Sequence, residues 1–390
     1  MKITKIDVLH CDGGWRTWAF VKIQTDGGIT GWSDCTDAFG STTGVAGVIK
    51  DLEPVLLGKD PCAYEKLFWD MYAVTRQSTG SVVQKGIAGI ENALLDIAGK
   101  SYGVPVHRLF GGPIRDRAKL YWSHCGTTRV RAAEKAGKPA IKSLEDIAVF
   151  GEEIKKSGYT AVKTNPAFFG DKPFIYMPGF NRSAGGPELN VSKEIIDHVV
   201  RYVAAWRKGI GEDIDFILDL NFNFKPEGYI RLGRALEQFN LMWLELDCYD
   251  PESLRIIRDA LKTPICSGEV LYGTRDFRLY FERRAMDIAS IDVTWNGFAQ
   301  SKKIADMAQL YEMNVAPHNH HSHLGTFISG NFSAAIPNLR ILETDVDDVP
   351  WKDELATHVP KIANGELLIE DRPGWGTGIN EEILKKHPAK

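Results

Sequence analysis

Cysteine is sparse in this chain and never paired in sequence. Cys11, Cys35, Cys62, Cys125, Cys248 and Cys266 are scattered with no C-x-x-C among them, which excludes a disulfide frame or a zinc ribbon. They are expected to be reduced thiols of a cytoplasmic protein. No apolar run approaches the roughly 20 residues of a membrane span. The N-terminus alternates like a strand and lacks the apolar core of a signal peptide. Charge is nearly balanced, with 47 Lys and Arg against 51 Asp and Glu, so the net −4 draws neither nucleic acid nor a membrane surface. What remains is 44% hydrophobic and 25% charged over 390 residues, the composition of a globular enzyme with two or three domains.

The first hundred-odd residues read as an α+β unit. Residues 2–10 and 17–24 alternate like strands, and Asp26-Gly27-Gly28 turns the second into Ile29–Trp32. Helical spacing follows at about 42–57, 61–75 and 81–101, the last ending at the stop signals Gly103 and Pro105. From residue 119 the pattern changes to short apolar runs ending in polar residues: 120–124, 161–165, 216–221, 242–247, 264–269, 290–294, 314–318 and 340–344. Amphipathic stretches such as 227–239, 251–261, 299–311 and 327–335 lie between them. Strand–helix alternation argues for a parallel sheet, and eight strands is the count of a (β/α)8 barrel. An open doubly wound sheet is the alternative, but no G-x-G-x-x-G opens any of these helices. Two gaps are longer: the basic stretch 126–137, and 168–187, which reads either as a substrate-covering loop or as a surface insertion. Residues 345–390 read as an irregular tail.

The chemistry stands at the strand ends. Asp219, Glu245 and Glu269 stand near the ends of three consecutive runs and would converge on one side of the barrel mouth. Carboxylates forced together repel unless a cation neutralises them, and oxygen-only ligands favour Mg²⁺, with Mn²⁺ as substitute. Asp292 and His318, on the next strands, form a candidate dyad in which the carboxylate fixes the imidazole tautomer and raises its basicity. Such a histidine is a natural general base beside a metal-bound substrate. The run His318-Asn319-His320-His321-Ser322-His323 is a rival, nitrogen-rich metal site; the reading preferred here has His318 acting and the others lining or supporting the loop. Lys163 is a further cation at the end of the second run.

The segment Ala88-Gly89-Ile90-Glu91-Asn92-Ala93-Leu94-Leu95-Asp96-Ile97-Ala98-Gly99-Lys100, with Gly103-Val104-Pro105-Val106 and Leu109-Phe110-Gly111-Gly112, resembles the signature of the mandelate racemase/muconate lactonizing group of the enolase superfamily. The Asp219, Glu245, Glu269, Asp292, His318 series, with Ala316-Pro317-His318 and Lys163-Thr164-Asn165, is similar to its mandelate racemase branch, and there to galactonate-dehydratase-like acid-sugar dehydratases. The resemblance spans nearly the whole chain. It implies an α/β architecture of the enolase type: an α+β capping domain (1–115), a modified barrel, (β/α)7β (116–345), and a C-terminal segment returning to the cap (346–390). It also implies a homo-oligomer. Carried over, Asp219, Glu245 and Glu269 hold Mg²⁺, His318 oriented by Asp292 takes a proton α to a carboxylate, Glu343 bonds that carboxylate, and Lys163 adds positive charge beside the enediolate.

The departures from the pattern narrow the reaction. Asn165 stands where racemases of the branch carry a second basic lysine, and Asn221 where related dehydratases often carry a histidine; an amide cannot act as a base. One face of the substrate therefore has a base, and syn dehydration by His318 is the economical expectation. His124 is a candidate second acid or a packed histidine. Trp15 and Arg16 in the first capping loop, and Arg182 in the 168–187 insertion, are candidate substrate contacts, Arg16 through a distal substrate group. Gly31-Trp32-Ser33-Asp34 replaces the commoner Gly-Trp-Gly-Glu, and Leu246-Asp247 follows Glu245 where relatives often have Glu-Pro. The expectation is dehydration of a sugar acid, aldonate or aldarate, to a 2-keto-3-deoxy acid. The rivals are an epimerase, a lactone cycloisomerase, or a non-catalytic sugar-acid binder.

Overall fold

The computed structural model describes residues 1–180 and 189–389. At the N-terminus, the alternating segments Ile3–Gly13, Arg16–Thr25 and Thr30–Asp34 pair as an antiparallel meander. Helices Thr42–Leu56, Tyr64–Val74 and Ser81–Tyr102 cover it, close to the bounds expected from spacing. Ile87, Ile90, Leu94 and Ile97 meet Val21 and Ile23 in a core of this unit's own.

The third helix is buried on every side between residues 84 and 99, so its polar side chains must be paired. Asn92 donates to the Val293 carbonyl (3.1 Å) and accepts from the Phe298 amide (2.8 Å), tying cap to barrel. Asp96 accepts from the amides of Trp32 and Trp375, each at 2.9 Å, tying the meander to the C-terminal segment. Gly31 lies so close to this helix that a side chain would collide with the Ala93 carbonyl oxygen.

The eight expected strands follow: Arg117–Ser123, Ala161–Thr164, Asp215–Asp219, Trp243–Glu245, Ile265–Ser267, Ile288–Ala289, Asn314–Val315 and Leu342–Asp345. Each pairs in parallel with the next, the seventh reaching the eighth through a Val315–Leu339 bridge. The eighth returns to the first, with Glu343 opposite Tyr121, and the ring closes. Its floor is an apolar layer with one residue from each strand or its flank: Tyr121, Ala161, Ile217, Trp243, Cys266, Ile288, Ala316 and Ile341. Side chains alternate along a strand, so two residues further on each strand delivers the next layer toward the mouth. That layer contains Ser123, Lys163, Asp219, Glu245, Ser290, His318 and Glu343.

Two expectations change. The sixth strand ends at Ala289 instead of running through 290–294, because the Asp292 side chain accepts from the Trp295 amide (2.8 Å) and starts a helical turn, Val293–Asn296. The tail is more regular than its composition suggests: Glu366–Leu368 pairs antiparallel with the first barrel strand, and the Asp12 amide bonds the His387 carbonyl. Of the long insertion, Ala167–Phe168 and Phe174–Ile175 form a small hairpin; Arg182 lies outside the described residues. No described helix is long and apolar enough to cross a membrane.

Candidate active site

A cavity of about 600 Å³ opens above the barrel mouth, walled by strand ends on one side and by Trp15, Asp37, Phe39 and Lys85 of the cap on the other. Lys163, Asp219, Glu269, His318 and Glu343 all line it. Glu245 is nearly buried; one carboxylate oxygen holds Lys163 and the other accepts from Trp243 Nε1 at 3.0 Å. Glu269 reaches the wall because Gly268 turns there with φ +119°, a conformation that side chains resist.

Negative charge is concentrated at this rim. Burial pushes Asp219 up to about 6, with Lys163 opposing and Glu269 adding to the rise. Burial likewise raises Glu245 and Glu269, against Lys163 and His318 respectively. Asp247, noted in the sequence only as a departure after Glu245, joins them: burial, then Glu269, Asp219 and Glu245, hold its carboxyl well above the usual range. Burial works against the charge on Lys163, but Glu245 and Glu343 outweigh it and keep the ammonium protonated. One lysine among so many acids leaves an all-oxygen, electron-rich rim whose donor chemistry fits a hard divalent cation.

Glu343 is fully engaged. It accepts from Ser123 and Lys163 on one oxygen, and from the Asn319 amide (2.8 Å) on the other. Burial opposes its charge, yet Lys163 and His318 keep it below the ordinary carboxylate range.

His318 and Asp292 meet as expected, Nδ1 to Oδ2 at 2.7 Å, while Nε2 lies 3.3 Å from Glu269. Burial lowers the basicity of His318, but Glu269, Glu343 and Asp292 raise it further, to about 10. Burial opposes the Asp292 charge too; His321 and His318 overcome it. The loop histidines converge more than their spacing implies. Ligand atoms of Asp292, His318, His320 and His321 lie within 4.8 Å of one another. The contacts are hydrogen-bonding ones: His321 Nε2 sits 2.9 Å from Asp292, and His320 Nδ1 3.2 Å from His318 Nε2. His323 leaves the group and pairs with Asp353 at 2.7 Å.

Of the candidate substrate contacts, Trp15, His124, Asn165 and Asn221 line the cavity, the two amides bonded to each other at 3.1 Å. Arg16 is a correction. Its guanidinium is buried against Asp348 (2.9 Å) and Asp345 (3.4 Å) and does not line the cavity. A charge inserted under the cap needs counter-ions, and Asp345 at the end of the eighth barrel strand and Asp348 just beyond it supply them, holding the guanidinium away from the cavity. Lys85 and Asp37 escaped notice in the sequence. They form a pair at 3.0 Å, with the ammonium 3.8 Å above the Trp295 ring.

Comparison with known proteins agrees with this architecture. Residues 14–111 match the mandelate racemase/muconate lactonizing enzyme N-terminal domain, and residues 147–383 the enolase C-terminal domain-like family. A crystal structure from Burkholderia xenovorans strain LB400, provisionally named an L-alanine-DL-glutamate epimerase, is 45% identical with a TM-score of 0.97, over 100% of this chain and 99% of that one. The same protein has been crystallised with magnesium and fumarate, at 45% identity and a TM-score of 0.97 over 100% of this chain and 96% of that one. D-xylonate dehydratase of Haloferax volcanii is 31% identical over 99% of this chain and 89% of its own. A D-galactonate dehydratase family member of Streptomyces bingchenggensis is 28% identical over 99% and 93%.

Proposed function

This chain belongs to the mandelate racemase/muconate lactonizing enzyme family of the enolase superfamily, and from that premise we propose that it dehydrates a sugar acid to a 2-keto-3-deoxy acid. The observation that carries the reading is the buried His318–Asp292 dyad beside the acid-rich rim, on a cavity large enough for a small polyhydroxy acid. Asp219, Glu245 and Glu269 would hold Mg²⁺. A bound Mg²⁺ would supply positive charge to offset the substrate carboxylate and the second negative charge that develops as the α-proton leaves.

The protein's own groups do the rest. Asp292 holds the His318 ring with Nε2 toward the rim, where it takes the proton. Lys163, fixed between Glu245 and Glu343, keeps a positive charge beside the developing enediolate. Asn165 and Asn221 offer amides for substrate hydroxyls. The sugar-acid dehydratases among the relatives support this choice of substrate.

A second reading, epimerisation at the same carbon, draws on the provisional name of the 45%-identical structure. A stereochemically complete sugar-acid library incubated with Mg²⁺ in D₂O separates the two. Keto acid from one or two configurations supports dehydration. Deuterium at Cα together with the epimer, and no keto acid, overturns it in favour of epimerisation.

A further inference from the structure

His318 is not the only imidazole built this way. His124 follows the first barrel strand, and its Nδ1 lies 2.8 Å from Asp345 Oδ1, against 2.7 Å for His318 and Asp292. Asp345 ends the eighth strand opposite Ser123, so strand register itself sets the pair. Arg16 fixes the carboxylate from behind, at 3.4 Å. The ring lines the same cavity as His318, and its Nε2 has no hydrogen-bond partner among the described residues. Trp15 covers it edge-on at 5.2 Å.

The backbone supports the same view. His124 sits at φ +46°, in the left-handed region that a residue with a side chain resists. Strain retained at a cavity residue is a common mark of a functional position.

The proposed reaction needs such a group. Removing the α-proton is half of a dehydration, and the β-hydroxyl leaves poorly as hydroxide. We propose that His124, held by Asp345, is the general acid that protonates the departing β-hydroxyl, an inference that rests on the dehydratase reading. His318 accepts the Cα proton, and the electron pair of that bond is held in the enediolate until the β-hydroxyl departs, when it forms the Cα=Cβ bond. The Cβ–O bond breaks with its electrons on oxygen, the Nε2 proton of His124 completes a water molecule, and the enol ketonises. His318 ends one proton richer and His124 one poorer; solvent restores both, and no oxidant or reductant takes part. Burial, with Arg131 adding to it, draws His124 below the ordinary imidazole range, and Asp345 opposes that fall; the paired carboxylate is the group that favours the protonated ring the step requires. Dividing the two transfers between two dyads replaces the expectation that His318 performs both.

The test follows both half-reactions in D₂O, using full-length protein, Mg²⁺ and a sugar acid that the wild type converts. His124→Gln is expected to lower keto-acid formation about 100-fold or more while Cα–H exchange stays within a few-fold of wild type. Asp345→Asn, a positioning change, should show the same split to a smaller degree. A merely structural role would lower exchange and elimination together, which overturns the proposal, as does keto-acid formation near the wild-type rate. If His124→Gln fails to fold, Asp345→Asn and rescue of His124→Ala by added imidazole decide the matter; no split and no rescue overturn it. A wild type that makes no keto acid from any sugar acid removes the dehydratase reading and this inference together. Loss of the split in the variants alone removes only the inference.

Discussion

The two walls of the cavity are made differently. The barrel wall is periodic: from a floor residue such as Ile217, steps of two give Asp219 and then Asn221, and from Trp243 they give Glu245 and Asp247. The cap wall has no period. Trp15 comes from a hairpin turn, Asp37 and Phe39 from the loop after the meander, and Lys85 from the third helix. Strand register thus places the groups suited to proton transfer, and a separately folded unit closes over whatever they act upon. Changes on the barrel wall should alter the chemical step, and changes on the cap wall should alter fit or stability.

The strongest test of that division is His318→Asn, expected to cut both turnover and Cα exchange by about 10³-fold while Mg²⁺ affinity by calorimetry is kept. A mutant affected only in KM would break the comparison. Arg16→Ala should act on stability, because it takes the guanidinium from Asp345 and leaves Asp348 with Lys352 (3.1 Å) alone. A loss of about 3–5 kcal/mol is expected for breaking a buried pair, read by denaturant unfolding; a negligible loss would mean the guanidinium is not held there. Glu245→Gln should weaken Mg²⁺ binding about 100-fold, the upper range for changes even one step removed from a metal. Unchanged binding would remove Glu245 from the ligand set.

Glu91 probes the seam between the walls. Burial pushes its carboxyl up to about 8, with Gln300 and Lys303 opposing, and one of its oxygens has no partner among the described residues. The folded protein therefore holds this proton more tightly than the unfolded chain. The stability is complete below about 4.5 and falls as pH rises toward 8. Glu91→Gln should remove that fall and gain about 1–3 kcal/mol at pH 8.5; an unchanged pH profile of the melting temperature would count against it. Smallest is Phe39→Ala, expected to raise KM about fivefold, the ~1 kcal/mol of one aromatic contact, with kcat unchanged. A large fall in kcat would give the cap a part in the chemistry.

The same division explains what the sequence disclosed. The strand-end acids and the His318–Asp292 pair were legible because apolar runs of regular period mark where each strand must end. Asp247, His320 and Asp345 follow the same rule one step further on, two residues beyond Glu245, His318 and Glu343; Asp247 and His320 are visible in the sequence without that placement, and the step would have found Asp345. Arg16 was misread as a substrate contact because its partners lie more than 300 residues away, in a tail whose composition suggested no structure. Lys85 and Asp37 were invisible for a like reason: a helix and a distant loop meet only after the cap has folded.

Asp34 carries a consequence for engineering. This cap residue accepts from both the amide and the hydroxyl of Ser322, at 3.0 and 2.6 Å, next to the loop that bears His318, His320 and His321. With Arg16 gripping Asp345 from the same side, the cap braces both imidazole dyads as well as roofing the cavity. A chimera that grafts a foreign cap onto this barrel to change its diet would retune the reactive groups too. The two units are interchangeable only as a matched set, in which the donor brings its own acid for Ser322 and its own cation for Asp345.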